Sequence, residues 1–366
     1  MTGATIGIDA RAAAEEPSGR GRVVRELLRH LARRSDENRY RLYARERWEE
    51  PLDERFEWET VSLPDPWWHL RAARNGSRDC DVFLSTNSYL TAWFTRIPTA
   101  VVVYDLVPFV EGAEARRSSA AIERATIGPA LRRAARLLCI SRATERDLVE
   151  QFASARGKTA VVPLAADTRF AVAVEAAELE RVRARHDLPQ TFVFGVGTIE
   201  PRKNLSRVVE AFRQLPPGLA EALVLAGPLG WESADVLGDL RADSRIRLLG
   251  HVPDEDLAAL YRLCTVFAYP SLYEGFGLPL LEAMASGAAC VSSNVSSLPE
   301  VGGDAVLYVD PLQADELAAA LEELLRSAEK RQALGVHARE RARRYSWQRT
   351  AEMFARQLEA LASTRS

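Results

Sequence analysis

The chain has 366 residues, a length that suits about two domains, and its 47% hydrophobic and 27% charged residues are ordinary for a globular enzyme. A net charge of −3 offers no global attraction to nucleic acid. No stretch approaches the ~18 consecutive apolar residues of a membrane span, and the N-terminus runs straight into a strand-like TIGIDA without a signal pattern, so a cytoplasmic protein is expected.

Apolar, β-branched runs alternate with helical segments along most of the sequence, which argues for parallel sheets joined by right-handed crossovers, an α/β protein. In the first half strands are expected at Thr5 to Ala10, Tyr40 to Ala44, Asp81 to Ser85, Thr99 to Tyr104 and Arg136 to Ile140. After the first of them, Pro17-Ser18-Gly19-Arg20-Gly21 leads into a helix near Arg22, with Val23, Val24, Leu27, Leu28 and Leu31 on one apolar stripe. That loop matches neither the P-loop nor the dinucleotide fingerprint, so an ordinary strand-to-helix connection and a ligand loop stand level. Trp67, Trp68 and Leu70 with Arg71 and Arg74 read as core packing, as an acceptor groove or as a membrane-interface patch, and Arg132, Arg133 and Arg136 as a solvated or membrane-facing basic helix. The strand from Thr99 runs into Asp105-Leu106-Val107-Pro108, where Asp105 either orients an acceptor hydroxyl or caps a turn.

The charged, helix-favouring stretch Val174 to His186 interrupts the strand series and places a domain boundary there: 1–173, then 174–344, then a terminal segment 345–366. In the second half strands are expected at Thr191 to Val196, Ala222 to Ala226, Ile246 to Leu249, Thr265 to Tyr269, Ala289 to Ser292 and Ala305 to Val309. GTIEPRKNL follows the first, so Arg202 and Lys203 sit at the carboxyl end of a strand, where open α/β sheets bind ligands; a diphosphate clamp and a solvated basic turn are the two readings. Tyr345 to Leu361 reads as a closing helix with Met353, Phe354 and Leu358 available for packing.

Residues 269–282, YPSLYEGFGLPLLE, carry the densest signal. Pro270 ends the strand's hydrogen bonding, Gly275 and Gly277 let the backbone approach a ligand closely, and Pro279 suits the first position of a helix through Met284. Free N–H groups and the positive dipole end at such a helix start favour an anion by about 0.3–1 kcal/mol, which suits a diphosphate. On this geometry Glu274 serves the reacting end of a ligand, and Glu282, in the first helical turn, its hydroxyls; otherwise Glu282 complements the dipole and Glu274 is a solvated acid. Cys80, Cys139, Cys264 and Cys290 are widely separated and read as small core residues, and neither they nor His30, His69, His186, His251 and His337 show metal-ligand spacing.

Glu274 and Glu282, with seven residues between them, resemble the E-x7-E motif of retaining glycosyltransferases of the GT-B architecture, in particular glycosyltransferase family four. The resemblance implies two Rossmann-like domains facing each other across a cleft, with the C-terminal helix crossing back to the first. It puts Glu274 near the donor sugar and phosphates, the amides of Gly275, Phe276, Gly277 and Leu278 on sugar hydroxyls and β-phosphate, and Glu282 on the ribose. GTIEPRKNL resembles the family's phosphate-binding loop, with Lys203 on the diphosphate; Thr198 stands where many members carry arginine, and Arg202 compensates. Gly19 and Gly21 match the N-terminal glycine loop, Tyr104 replaces a histidine before Asp105, Ile140-Ser141-Arg142 matches a strand end, and the loop Leu249 to Pro253, including Val252, resembles the one whose backbone reads the nucleotide base.

The implied function is retaining transfer of a hexose from a nucleotide diphosphate sugar to an acceptor hydroxyl, with Glu274, Asp105, Lys203 and Arg202 as the catalytic set and no metal or other cofactor. Taken with GIDAR and YDLVP, the motifs resemble bacterial mannosyl- and rhamnosyltransferases of surface polysaccharide synthesis, which favours GDP-mannose ahead of dTDP- or UDP-linked sugars. The resemblance implies a glycan or lipid-linked acceptor; the charge gives no nucleic-acid partner, and the cytoplasmic place expected from the missing span and signal extends to peripheral contact at the inner face of the plasma membrane through the Trp67–Arg74 and Arg132–Arg136 residues. A sugar-nucleotide epimerase and a non-catalytic nucleotide-sugar binding protein are the rival readings of this architecture.

Overall fold

The computed structural model describes residues 3–16, 19–110, 117–230 and 243–364. Two compact units emerge. The first takes residues up to Phe109, then Arg117–Leu164 and Ser346–Ser366, and the second takes Ala165–Tyr345.

The first unit is built on β1 (Thr5–Asp9), β2 (Arg39–Ala44), β3 (Phe56–Thr60), β4 (Val82–Ser85), β5 (Thr99–Val103), β6 (Arg136–Cys139) and β7 (Thr159–Val161). All pairs are parallel, in the order β3-β2-β1-β4-β5-β6-β7. Central strands such as β5, TAVVV, are buried throughout because helices cover both faces, hence their unbroken apolar runs. The two strands without a sequence signal lie at the edges. Glu57 and Glu59 interrupt the apolar pattern of β3, which is fastened to β2 by the Tyr40–Phe56 ring stack at 4.5 Å, and β7 is only three half-buried residues long.

The second unit carries β8 (Phe192–Val196), β9 (Ala222–Ala226), β10 (Ile246–Gly250), β11 (Val266–Tyr269), β12 (Cys290–Ser293) and β13 (Leu307–Val309), again parallel, in the order β10-β9-β8-β11-β12-β13. Each sheet reverses its winding once, between β1 and β4 in the first and between β8 and β11 in the second. Such switch points open a crevice at the carboxyl ends of the strands.

The chain changes unit at Leu164/Ala165, upstream of the sequence boundary at 173/174. The reason is Phe170, whose ring packs edge-on against Tyr261 at 5.7 Å and whose carbonyl accepts from Arg262 at 3.1 and 3.0 Å. The terminal helix Trp347–Ser363 belongs to the first unit and packs on the helix Arg20–Ala32, burying Phe354 and Leu358. Thr350 donates to the Pro163 carbonyl at 2.7 Å, and Glu359 accepts from Arg34 at 3.1 Å and Asn38 at 2.8 Å. Met353, expected to pack, falls off this stripe and is exposed. Cys80, Cys139 and Cys290 are buried, Cys264 is half-buried, and all four are free thiols. No helix among the described residues is long and apolar enough to cross a membrane.

Candidate active site

The site forms at the switch point of the second sheet, from the segments that follow β8 and β11. Gly197 follows β8 at φ 142°, a conformation that favours glycine, and the Lys203 stem packs beside it. A short 3-10 turn, Pro201–Lys203, ends at Asn204 in the left-handed region, φ 57°. The Asn204 amide holds it by donating to the carbonyls of Pro270 at 3.0 Å and Pro311 at 2.7 Å. The two basic side chains are thereby fixed against the loop after β11, whose Leu272 N–H donates to the Arg202 carbonyl at 2.9 Å.

Three groups converge on the Glu274 carboxylate. The Lys203 Nζ is 2.5 Å from Oε1, the Tyr269 hydroxyl donates to the same oxygen at 2.8 Å, and Arg202 Nη1 lies 3.0 Å from Oε2. Lys203 also donates to the Tyr269 oxygen at 2.8 Å, and Arg202 reaches the Tyr273 carbonyl at 2.9 Å and Glu200 at 2.6 Å. Burial alone would raise the Glu274 pKa, but Lys203 and Arg202 overcome it and hold the carboxyl at about 2. Burial lowers the pKa of Lys203, against the pull of Glu274. Burial and then the Glu274 charge push the Tyr269 phenol well above its ordinary value. Glu274 is thus an ionised, buried acid; the solvated-loop alternative does not hold.

Its backbone is pinned as well. The Glu274 N–H donates to the Ser296 hydroxyl at 3.0 Å, and the Ser297 hydroxyl donates to the Glu274 carbonyl at 2.8 Å. Gly277 then takes φ 100° at the N-cap of the helix Leu278–Ser286, with Pro279 in its first positions. A Cβ on Gly277 would come within 2.7 Å of Leu298, so both conformation and space require glycine. Gly275, Phe276 and Leu278 lie in the same turn, Phe276 buried against Tyr345 at 5.7 Å.

Glu282 departs from expectation. The helix begins at Leu278, so Glu282 lies beyond the first turn, 3% exposed, accepting from the Tyr261 hydroxyl at 3.1 Å. It is a buried, positioned carboxylate rather than a partner of the dipole. Thr198 is half-buried in the β8 loop, and Val252 is buried after β10, with β9 between β10 and β8.

Gly19, Gly21 and Asp105 belong to the first unit. Gly19, at φ 58°, caps the helix Arg20–Ala32, which starts two residues before the expected Arg22. Gly21 is buried where a Cβ would strike the Glu16 carbonyl at 1.8 Å. Asp105 accepts from the Val107 N–H at 3.1 Å and so caps its own turn. Ser141 caps the helix Arg142–Gln151 by accepting from the Thr144 N–H. Of the tryptophan pair, Trp68 is core, with the Arg11 guanidinium 4.5 Å from its ring centroid, while Trp67 is 60% exposed. Trp67, Leu63, Leu70, Arg71, Arg74, Asn75 and Arg78 border a surface groove of about 440 Å³.

Sequence reasoning missed Tyr269, Tyr261, Asn204 and the Ser296–Ser297 pair. Tyr269 had a readable signal, a tyrosine as the last residue of a strand beside the ligand edge. The serines had none, because their partners lie 22 and 23 residues away and are met only through the fold. Among the described residues no group of three His, Cys, Asp or Glu could hold a metal ion.

Two parallel α/β units, with cations and a carboxylate gathered at a helix start on the second unit's switch point, define the GT-B class. Residues 17–170 match the description Glycosyltransferase Family 4, and residues 177–341 match Glycosyl transferases group 1. The chain belongs to glycosyltransferase family four. It is similar to the O-antigen chain mannosyltransferase B of Escherichia coli, 43% identical over 165 residues, 43% of each chain. It also resembles the serotype-specific mannosyltransferase WbdA of Escherichia coli, 34% identical over 229 residues, 60% of this chain and 28% of that one. The chain thus spans less than half the length of these two relatives. The fold matches that of sucrose-phosphate synthase from Thermosynechococcus elongatus, with TM-score 0.78, 20% identity, and 99% of this chain and 100% of that chain covered.

Proposed function

We propose that the protein transfers a hexose, with retention of configuration, from a nucleotide diphosphate sugar to an acceptor hydroxyl in glycan or cell-surface polysaccharide synthesis. The observation that carries this reading is the convergence of Lys203, Arg202 and Glu274 beside the helix start at Gly277. In the transfer, the bond from the anomeric carbon to the diphosphate oxygen breaks, the bond to the acceptor oxygen forms, and the nucleoside diphosphate leaves with the electron pair and takes up the proton of the acceptor hydroxyl. Negative charge grows on the diphosphate, where Lys203, Arg202 and the amides from Gly275 to Leu278 stabilise it. Glu274 holds the two cations in place and faces the sugar, and Glu282 takes the ribose hydroxyls. Gly19, Gly21, Thr198 and Val252 complete the donor set, and Asp105 the acceptor side.

Mannose is the favoured sugar and GDP the favoured nucleotide, supported by the names of the relatives, both of them mannosyltransferases. The acceptor is a glycan or lipid-linked glycan, reached from the cytoplasmic side of the membrane. The peripheral contact is assigned to Trp67, Leu70, Arg71 and Arg74, an exposed aromatic-basic surface. A thermal-shift panel of GDP, UDP, dTDP and ADP, with and without EDTA, tests the donor reading, because a ligand of the folded state raises its melting temperature. One nucleotide standing out in EDTA supports it; no shift with any of the four overturns it.

A further inference from the structure

The chain enters the second unit at Leu164/Ala165 and leaves it at Tyr345/Ser346. At each place an aromatic ring inside the second unit meets a residue of the candidate active site. On the exit side the Tyr345 ring stands edge-on to Phe276, 5.7 Å between centroids, in the turn that opens the helix Leu278–Ser286. The Tyr345 hydroxyl donates to the Glu300 carbonyl at 3.0 Å, and Arg341 donates to the carbonyls of Glu300 at 2.6 Å and Val301 at 3.2 Å. These carbonyls belong to the short helix Leu298–Gly302, which begins with the leucine packed on Gly277 and follows directly on Ser296 and Ser297, the serines on the Glu274 backbone. On the entry side the Phe170 ring meets Tyr261, whose hydroxyl holds Glu282, and the Phe170 carbonyl accepts at 3.3 Å from Ser286, the last residue of the helix that starts at the donor turn.

We propose that Tyr345 and Phe170 are positioning residues that couple occupancy of the donor subsite to these two chain crossings, Tyr345 through the turn at Phe276 and Phe170 through Tyr261 and Glu282. The coupling rests on the donor reading above, in which the amides from Gly275 to Leu278 meet the diphosphate and Glu282 the ribose. Gly277 sits at φ 100° with no room for a Cβ against Leu298, so the turn has little freedom to meet a ligand without shifting Phe276 or Leu298. Close-packed neighbours transmit such shifts rather than absorb them. Edge-on ring pairs favour one relative orientation, so each ring passes a displacement to the next. The coupling is reciprocal: a ligand that orders the turn orders the chain exit, and an exit that is loosened costs donor affinity.

Hydrogen exchange of the full chain read by mass spectrometry, with and without saturating GDP, tests the coupling. GDP is expected to slow exchange at residues 166–172 and 343–348 by about five- to tenfold. Tyr345→Leu should lose that response at 343–348 and keep it at 166–172, Phe170→Leu should do the reverse, and Tyr345→Phe, which keeps the ring, should restore the pattern of the parent. The donor KM should rise about fivefold in each leucine variant. A role confined to folding would instead change exchange in both segments alike and with no dependence on GDP. No slowing in the parent, slowing in the leucine variants equal to that of the parent, or loss of the response in both segments of one variant overturns the proposal. Melting temperatures of the same samples separate the two readings: a GDP shift without an exchange response defeats the coupling alone, whereas no shift defeats the donor reading and the coupling with it.

Discussion

Lys203 and Glu274 stand 71 residues apart in the chain and 2.5 Å apart in the fold. With Arg202 on the other carboxylate oxygen and Tyr269 on the same one, Glu274 joins the loops of two neighbouring strands into a single charged unit. A substitution at one member is therefore felt by the others.

Lys203→Ala is expected to lower kcat/KM for transfer by about 10²–10³, because it removes charge that matters most as the diphosphate leaves. Glu274→Ala should lower both activity and stability, the latter by about 1–3 kcal/mol, since the half-buried Lys203 and Arg202 lose their shared counter-charge while Arg202 keeps Glu200. Tyr269→Phe is the finer probe, with an expected fall in kcat/KM of roughly tenfold. Steady-state kinetics and denaturant melts on the three proteins check these outcomes, and parent-like kinetics in Tyr269→Phe would remove the hydroxyl from the site.

Glu282 is buried and held by Tyr261. If it takes ribose hydroxyls, Glu282→Gln weakens ground-state and transition-state binding alike. The donor KM then rises by about tenfold while kcat changes little. A fall in kcat at unchanged KM would instead place Glu282 at the reacting centre.

Asp9, at the end of β1, is fully buried, and burial raises its pKa from 3.8 to about 6 against the pull of Arg11. The folded state therefore holds this proton more tightly than the unfolded chain. Its contribution is fully present below pH ~3.8 and is lost as the pH rises through ~6, a loss of about 3 kcal/mol. Asp9→Asn should flatten this part of the profile and gain on the parent between these limits. Denaturant melts from pH 4 to 8 would show parallel curves if Asp9 did not titrate there.

The Trp67–Arg74 surface should draw the protein to phosphatidylglycerol vesicles and far less to phosphatidylcholine alone. Replacing Trp67, Arg71 and Arg74 together by Ser should abolish the binding and leave the GDP thermal shift intact. Co-sedimentation measures this, and equal partition of parent and variant would exclude the surface.

Central strands were legible because burial on both faces forces continuous apolar runs, as in Thr99–Val103 and Ala222–Ala226. Edge strands were not, since Phe56–Thr60 needs one apolar face only and Thr159–Val161 is too short to form a pattern. In the site, the glycine–proline grammar around Gly277 marked the helix start, and Arg202 and Lys203 were found through their place after a strand. Hidden from the sequence were the roles set by long-range contact: Tyr269 in the charged unit, Ser296 and Ser297 behind Glu274, and Tyr261 behind Glu282. The shift of the unit boundary to Leu164/Ala165 has the same origin, the docking of Phe170 on Tyr261.

The most direct test is a proton-NMR time course of GDP-α-mannose with the parent protein and Lys203→Ala, with and without a mannoside acceptor. The parent should consume the donor and give an α-linked product, with α-mannose appearing first where water is the acceptor, and Lys203→Ala should do so at least about 100-fold more slowly. A β-configured first product, or equal rates in the two proteins, would contradict retaining transfer driven by the Lys203–Glu274 site.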